Sequence, residues 1–335
     1  MIISIRLGSK RFEFPATNNQ LAKMIPNSPL LVVTGPTSSG KTILAWKCAC
    51  FLKNNYGIEA EIINADASQL YGELKILTAY PFPEILGQIR HNLYGILSPL
   101  ENSSVALWLK LALENVRRLQ EEGKATIFCG GTGFYIGALL NGVSHIPTIP
   151  ADFRKKIRER FQEIGREVFF RELANLDPFS AKALHPANTH RILRAYEVVA
   201  YTGKPLSQWW EKRETVNLPI TTVILSPPRN ELNARCLHRI NGMVKNGLLT
   251  EVENFLIRYP NYQGALCNVI GYDEALQLLK KKITEQECLN QIYVKTRRYA
   301  KRQLTWFRNQ LLGAHSVPNF GNEVDPEEIL EKMKN

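Results

Sequence analysis

The sequence predicts an α/β protein with a parallel β-sheet and one helical insertion. Short apolar runs rich in Val, Ile and Thr alternate with helical patterns along most of the 335-residue chain. That alternation is typical of a parallel sheet covered by helices on both faces. A glycine-bounded loop follows the first buried run, and a charged stretch without strand signals, residues 141–218, predicts the insertion.

The elements follow one another in five segments. Residues 1–29, which are punctuated by Pro and Asn, are expected to form an irregular extension. The insertion at 141–218 splits the core into a first part, 30–140, and a completion, 219–320, and a capped helix is expected in the tail, 321–335. Strands are predicted at 30–35, 61–65, 125–130 and 221–226, and helices at 42–54, 104–121, 230–259, 272–282 and 284–312.

The composition narrows the class of protein. With 44% hydrophobic and 22% charged residues, the chain is ordinary for a globular protein. It has no apolar run near the roughly 20 residues that cross a bilayer and no secretion signal pattern. We therefore expect a cytoplasmic monomer without membrane contact. The six cysteines lack C-x-x-C spacing, which favours reduced thiols over disulfides or zinc.

The loop after the first strand has the pattern of a phosphate-binding loop. The stretch LLVVTGPTSSGKT satisfies G-x-x-x-x-G-K-[ST] between a predicted strand and a predicted helix, so a chance match is disfavoured. Its glycines let backbone N–H groups point inward, and the helix start adds a positive dipole end. Lys41 would neutralise phosphate charge and the Thr42 hydroxyl would bind Mg²⁺. The predicted phosphate-binding residues are Gly35, Pro36, Thr37, Ser38, Ser39, Gly40, Lys41 and Thr42.

The acid that ATPases of this type use to hold Mg²⁺ is missing from its usual place. Such enzymes carry an Asp or Glu at the end of another core strand, but here the strand at 125–130 runs into Gly131 and Thr132. An acid, Asp66, instead follows the second strand, where open α/β sheets place their ligands. Asp66 could bind metal, accept a proton, or only cap a helix.

Several motifs occur in an order that resembles one family. They are GPTSSGKT, DASQLY, HNLYGIL, GGTGFYIGALLNG, DPFSAKALHP, HRILRAYEVVAYTGKPLS, IGYDEAL and TRRYAKRQLTWFR. Together they are similar to the tRNA dimethylallyltransferase (isopentenyl transferase) family over roughly residues 30–312. One phosphate-binding loop is shared by many folds, whereas GGTGFY and YAKRQLTWF are far more specific.

The resemblance implies a P-loop NTPase-like core and a prenyl transfer reaction. A dimethylallyl group would move from dimethylallyl diphosphate to N6 of the adenine 3′-adjacent to the anticodon. The loop would then hold a diphosphate leaving group with Mg²⁺, which accounts for the missing acid. By the same resemblance, Asp66 matches the general base, Arg229 an arginine near the diphosphate, and Thr132 a residue near the reacting groups.

A basic segment is the candidate contact for the tRNA anticodon stem-loop. The chain carries 42 Lys and Arg against 31 Asp and Glu, and the stretch 295–308 holds six basic residues and no acid. On pattern alone a solvated helix fits equally well; the resemblance and the surplus charge favour RNA. The predicted RNA-binding residues are Asp66, Ala67, Ser68, Gln69, His190, Arg191, Arg194, Asn268, Tyr272, Arg298, Lys301, Arg302 and Arg308.

The chain also departs from the family pattern. The family usually has Ser where Ala67 stands, so a supporting hydroxyl beside Asp66 is lost, and it commonly has Gln in place of His190. The Gln69 amide suits the edge of the target adenine, and the insertion is a plausible clamp for the anticodon arm.

Two other functions remain open at this point. A small-molecule or nucleoside kinase would place ATP in the loop and use Asp66 to activate a hydroxyl. An RNA-binding module without catalysis would use a nucleotide as a switch. Neither needs a prenyl donor, and the kinase leaves the basic helix without a role.

Overall fold

The computed structural model describes residues 2–7, 10–15, 30–144, 146–210, 213–214 and 219–333. Its strands are β1 Ile2–Leu7, β2 Lys10–Pro15, β3 Leu30–Thr34, β4 Ala60–Asn64, β5 His91–Asn92, β6 Ala125–Cys129, β7 Val143–Ser144, β8 Arg213–Glu214, β9 Ile220–Leu225 and β10 His315–Val317.

The α-helices cover most of the remaining described chain. They are α1 Lys41–Tyr56, α2 Pro83–Leu86, α3 Val105–Glu121, α4 Gly133–Asn141, α5 Ala151–Leu176, α6 Pro178–Ala183, α7 Thr189–Thr202, α8 Leu206–Trp210, α9 Arg229–Lys245, α10 Leu248–Arg258, α11 Tyr272–Leu279, α12 Glu285–Gln310 and α13 Pro326–Glu331. Two 3₁₀ turns span Ala67–Leu70 and Ala265–Asn268.

The main sheet has six parallel strands in the order β10-β9-β3-β6-β4-β5. Every residue of β3, β4 and β6 is buried, as expected for strands covered on both faces. This confirms the predicted α/β class with its parallel sheet. The edge strands β5 and β10 were not predicted, because two or three residues such as His91-Asn92 carry no apolar run.

The sheet places one strand at the centre of the site. β3 pairs with β6 on one side and with β9 on the other, so both neighbours come from much later in the chain. Beneath the sheet α1 buries Trp46 and Phe51 and packs against Ile329 of α13. The phosphate-binding sequence therefore starts from the most enclosed strand of the core.

The sequence expectations for residues 230–259 and for the N-terminal extension were wrong. The single helix expected at 230–259 is broken, because Gly247 adopts a left-handed conformation at φ 93° between α9 and α10. The expected irregular extension contains strands β1 and β2, which pair antiparallel. The alternation of apolar and polar residues in ISIRL and RFEF indicates such strands. Residues 1, 8, 9 and 16–29 of that expected extension lie outside the described residues.

The chain divides into two compact units. The first comprises Met1–Gly137 with Leu218–Asn335, and the second comprises Ala138–Asn217. In the second unit, α5 and α7 pack around Phe169 and Ile192. The insertion was expected to lack strands, yet β7 and β8 form a short antiparallel pair. Among the described helices, none is long and apolar enough to cross a membrane.

Candidate functional site

Loops at the carboxyl ends of the parallel strands surround a cavity of about 830 Å³ in the first unit. The phosphate-binding loop after β3, Asp66 after β4 and Thr132 after β6 all line it. The helices α9 and α12 also contribute polar residues to its wall. Parallel strands bring their carboxyl ends to one edge, which is why residues distant in sequence meet here.

The phosphate-binding loop requires glycine at both ends. A Cβ on Gly35, at φ 151°, would lie 2.7 Å from the Leu225 carbonyl oxygen, and one on Gly40, at φ 88°, 2.9 Å from the Gly321 nitrogen. Those contacts are too close for any side chain. Between them, Ser38 adopts a left-handed φ of 65°, a conformation that costs free energy in a residue other than glycine.

The interior of the loop contains polar groups that suit an anion. The buried Oγ atoms of Ser38 and Ser39 have no hydrogen-bond partner among the described residues. The Lys41 ammonium donates to the Pro36 carbonyl oxygen at 2.9 Å, and burial lowers the pKa of Lys41, an effect that the Cys129 and Asp66 side chains oppose. Because α1 begins at Lys41, its positive dipole end also points into the loop.

Asp66 has both a capping contact and a place in the cavity wall. Its Oδ1 accepts hydrogen bonds from the Ser68 nitrogen at 3.1 Å and from the Ser68 hydroxyl at 2.7 Å. The Asp66 nitrogen in turn donates to Oδ1 of the buried Asn64 at 2.7 Å. A serine hydroxyl therefore supports Asp66 even though Ala67 lacks one.

Thr132 holds the loop that carries Asp66. Its hydroxyl accepts a hydrogen bond from the Ala67 nitrogen at 2.9 Å, and its own nitrogen donates to the Ala65 carbonyl oxygen at 3.1 Å. A Cβ on Gly130 would collide with the backbone of Ala65. The Gly-Gly-Thr sequence thus allows β4 and β6 to end in close contact.

The structure does not bring Arg229 to the cavity. Arg229 is exposed at the first turn of α9 and is not among the residues that line the cavity. Arg239, further along the same helix, does line it. Its buried Nε has no hydrogen-bond partner among the described residues. Burial lowers the pKa of Arg239, whereas Cys236 and Asp66 raise it.

Helical spacing could have identified Arg239 from sequence. Leu232, Cys236, Ile240 and Met243 are the buried residues of α9. Arg239 lies within that apolar stripe, which is the face an amphipathic helix turns toward the protein. Arg229 precedes the stripe and follows the exposed Pro228.

The basic residues of α12 share an exposed surface. Arg298, Lys301, Arg302 and Arg308 are exposed, while the buried residues of the helix include Ala300 and Phe307. Arg302 also lines the cavity. The first turn of α12 is fixed by a capping box between Thr284 and Glu287.

Two of the predicted RNA-binding side chains are engaged within the protein. Gln69 uses its amide nitrogen to donate to the carbonyl oxygens of Thr78 at 3.1 Å and Ala79 at 2.9 Å. Its amide nitrogen is therefore occupied by backbone rather than held ready for a base. Tyr272 is only 3% exposed and packs edge to face against Phe255, so its ring is a core residue and not a surface contact.

The other predicted RNA-binding residues are more accessible. Asn268 is exposed and lines the cavity, as do Ala67 and Ser68, which are partly buried. In the second unit, His190 and Arg191 are exposed on α7. The partly buried Arg194 on the same helix lies 3.8 Å from Glu197.

Thr42 is the candidate metal ligand. It lines the cavity together with Cys129, and burial raises the pKa of the Cys129 thiol to about 11. No cluster of three His, Cys, Asp or Glu side chains suited to a metal occurs in the described part of the chain. A hydroxyl supplemented by phosphate oxygens and water fits the way Mg²⁺ is usually held in phosphate sites.

A phosphate-binding loop, a facing carboxylate and a basic helix together define an enzyme of the P-loop class that acts on a phosphorylated substrate. The sequence profile described as "IPP transferase" matches residues 69–310. The chain belongs to this IPP transferase family. The match confirms the resemblance seen in the sequence motifs.

Individual relatives give the same result. The chain is 38% identical to a tRNA dimethylallyltransferase of Rhizobium meliloti (strain 1021), over 84% of this chain and 92% of the relative. It is 36% identical to the tRNA dimethylallyltransferase of Ehrlichia canis (strain Jake), over 91% of this chain and 98% of the relative.

Solved structures share the fold. The tRNA isopentenylpyrophosphate transferase of Bacillus halodurans has a TM-score of 0.64 at 28% identity, with 92% of this chain and 95% of that chain covered. A eukaryotic dimethylallyltransferase solved in the course of acting on tRNA has a TM-score of 0.74 over 87% of this chain and 74% of that chain. At 23% identity, the second comparison speaks for the fold alone.

Proposed function

We propose that this protein transfers a dimethylallyl group from dimethylallyl diphosphate to N6 of the adenine 3′-adjacent to the anticodon of tRNA, releasing diphosphate. Membership of the IPP transferase family supports the transfer of a dimethylallyl group to a tRNA adenine. The observation that carries the proposal is geometric: the side chains of Lys41, Asp66 and Arg239 line one cavity. The cations Lys41 and Arg239 suit the binding of a diphosphate, and the carboxylate of Asp66 suits the acceptance of a proton.

The phosphate-binding loop would hold the departing diphosphate. Lys41, Arg239 and the inward N–H groups of the loop would stabilise the negative charge that grows as the allylic C–O bond breaks. Stabilisation of developing charge by preorganised groups is usually the largest catalytic contribution. The unpartnered hydroxyls of Ser38 and Ser39 add two further donors.

Asp66 would act on the acceptor. The N6 amine of adenine is a poor nucleophile because its lone pair is delocalised into the ring. Ionisation of the donor compensates, because the allylic cation is strongly electrophilic. The N6 nitrogen then forms a bond to the terminal allylic carbon, the diphosphate leaves with the C–O electron pair, and the N6 proton passes to Asp66. Since Ser68 donates to Oδ1, we assign proton acceptance to Oδ2.

Thr132 supports this arrangement through the backbone of the Asp66 loop. Mg²⁺ would be held by the Thr42 hydroxyl together with diphosphate oxygens, and when bound it would supply further neutralisation of the leaving group. The Cys129 thiol beside Thr42 stays protonated at neutral pH, because its pKa is raised to about 11. It is therefore unsuited to act as a nucleophile.

The cavity also has an apolar part that suits a short prenyl chain. Much of its wall is apolar and includes Leu77, Ile240, Met243, Leu248, Leu266, Val269, Ile270 and Ile292. Such a surface favours a five-carbon hydrocarbon and excludes water from an allylic cation.

The RNA would dock on the basic face of α12. Arg298, Lys301, Arg302 and Arg308 would contact phosphates of the anticodon stem-loop, with Asn268 and the Asp66–Gln69 stretch nearer the base. The adenine must leave its stack to reach Asp66. His190, Arg191 and Arg194 would contribute contacts from the helical insertion, which we propose to clamp the anticodon arm. A single copy suffices, since one chain supplies the whole cavity.

The function is tested with two donors and one acceptor. Purified protein is incubated with tRNA and Mg²⁺, with either isotopically labelled dimethylallyl diphosphate or labelled ATP, and the nucleosides are analysed by mass spectrometry. Label from the prenyl donor on an adenosine is the expected result. Phosphate transfer from ATP with unlabelled tRNA would instead establish the kinase, and RNA binding with neither reaction would establish the non-catalytic module.

A further inference from the structure

One carboxamide on α12 joins two loops of the cavity. Gln303 is 7% exposed, and its Oε1 accepts a hydrogen bond from the Thr37 nitrogen at 2.8 Å. Its Nε2 donates to the Gly131 carbonyl oxygen at 2.8 Å. The first contact reaches the phosphate-binding loop and the second reaches the Gly-Gly-Thr loop after β6. Gln303 therefore fixes the spacing between these two loops.

The phosphate-binding loop needs such a restraint at that point. Thr37 immediately precedes Ser38, whose left-handed φ of 65° persists only where surrounding contacts enforce it. The carboxamide holds the Thr37 N–H on one side, and Gly321 donates to the Ser39 carbonyl oxygen at 2.9 Å on the other. These contacts hold the strained residue from both sides.

The Gly-Gly-Thr loop is shaped to receive the carboxamide. A Cβ on Gly131 would lie 2.5 Å from the Gln303 Nε2 and 3.5 Å from the Lys41 Nζ. Only glycine leaves room there for Gln303 beside the lysine. The contact thus depends on the residue types at both of its positions, Gln303 and Gly131.

The position of Gln303 on its helix is equally informative. It directly follows Lys301 and Arg302, which are exposed, while its own side chain turns inward. One helix therefore presents cations to the solvent and a carboxamide to the phosphate-binding loop. When RNA is bound as in the proposed function, α12 would contact the RNA with its exposed cations and the phosphate-binding loop with Gln303.

We propose that Gln303 is a positioning residue that holds the phosphate-binding loop in the shape that receives the diphosphate of the donor. It acts through Thr37 and Gly131, because its polar atoms are directed at backbone groups. This inference rests on the proposed function for the identity of the donor. Its consequence is that loss of the carboxamide weakens diphosphate binding without weakening RNA binding.

Two variants separate this role from a general packing role. Gln303→Met keeps the length of the side chain and removes both hydrogen bonds, leaving the buried Gly131 carbonyl and the partly buried Thr37 N–H unpaired. Gln303→Glu keeps an acceptor for the Thr37 N–H but loses the donor to Gly131. Gln310→Met, at the exposed end of the same helix, is the matched control.

Three quantities are measured for each variant: the affinity for inorganic diphosphate by calorimetry, the KM and kcat for dimethylallyl diphosphate, and the affinity for an anticodon stem-loop RNA. For Gln303→Met we expect a roughly 10- to 100-fold weaker affinity for diphosphate and a matching rise in KM, since leaving the Gly131 carbonyl and the Thr37 N–H without partners costs about that factor. For Gln303→Glu the loss is partly rescued at low pH, where the protonated carboxyl again offers a donor. RNA affinity stays within twofold of the parent protein, as it does for Gln310→Met.

Unchanged diphosphate affinity in Gln303→Met would overturn the proposal. So would equal losses of RNA and diphosphate affinity, because they would indicate a disturbed helix rather than a displaced loop. The calorimetric measurement does not depend on prenyl transfer. If the parent protein fails to modify RNA but Gln303→Met still loses diphosphate affinity, the proposed function fails while the positioning role stands.

Discussion

Replacing Asp66 with asparagine tests the proton-accepting role. Asparagine keeps an oxygen at the Oδ1 position, so the hydrogen bonds from the Ser68 nitrogen and hydroxyl, at 3.1 and 2.7 Å, are retained. Asn and Asp are also equally good N-caps. The substitution therefore removes the base at neutral pH and leaves the local structure in place.

The expected loss of rate in Asp66→Asn follows from the contribution that a positioned base makes to catalysis. Such a group contributes about 10²–10⁴-fold to the rate, which corresponds to about 3–5 kcal/mol of activation free energy. Because the phosphate-binding loop is untouched, the KM for dimethylallyl diphosphate and the affinity for RNA should change less than about threefold. The loss should fall on the chemical step.

A single-turnover assay isolates that step. Protein in excess over an anticodon stem-loop RNA is mixed with saturating donor, and modified adenosine is quantified by mass spectrometry against time. Thermal unfolding of Asp66→Asn is compared with the parent protein to show that the cap is preserved. A rate within threefold of the parent value would refute the assignment of Asp66 as the base.

Three further sets of substitutions test the remaining parts of the site. Arg239→Met should raise the KM for dimethylallyl diphosphate at least tenfold, because a charged contact to the leaving group is lost. Arg229→Met should leave steady-state kinetics unchanged. If only Arg229→Met raised the KM, Arg229 would be the diphosphate-binding arginine, as the sequence predicted. Lys301→Ala should reduce the slope of log affinity for RNA against log salt by about one, as measured by fluorescence titration, and an unchanged slope would remove Lys301 from the interface. Ser68→Ala should lower kcat about three- to tenfold through loss of one hydrogen bond to the carboxylate. Adding Ala67→Ser to the Ser68→Ala protein should restore part of the lost kcat. If neither change altered kcat, Asp66 would need no hydroxyl partner.

The parts of the site that lie along one stretch of sequence were predictable. The pattern of the phosphate-binding loop specifies its own strand, glycines and helix start, and the structure has them in that order. Asp66 follows its strand directly, and strand ends of a parallel sheet converge. Local patterns and sheet geometry together were sufficient for these residues.

Residues that depend on distant packing were not predictable in the same way. Gln303 contacts Thr37 across 266 residues of sequence, and no local sequence pattern predicts that contact. Tyr272 is the first residue of α11 and lies in the family-like motif IGYDEAL, which led to its prediction as an RNA contact. Its burial against Phe255 results from the packing of α10 against α11. Arg239 is an intermediate case, because the apolar stripe of α9 is visible in the sequence once the helix is assumed.

The hydroxyl beside Asp66 shows how a local departure can be compensated. Sequence comparison with the family suggested that Ala67 removes a supporting group. The structure supplies the hydroxyl from the next residue, because the 3₁₀ turn Ala67–Leu70 folds Ser68 back onto the carboxylate. The identity of the supporting residue depends on that turn and not on its position in the motif.

In the proposed reaction, diphosphate leaves and the adenine is modified in the same cavity. Diphosphate and N6-modified adenosine can be quantified in a single reaction of the protein with tRNA and dimethylallyl diphosphate. We predict one diphosphate released for each adenosine modified next to the anticodon, with both products suppressed together in Asp66→Asn. Diphosphate released without modified adenosine, or modification that persists in Asp66→Asn, would contradict it.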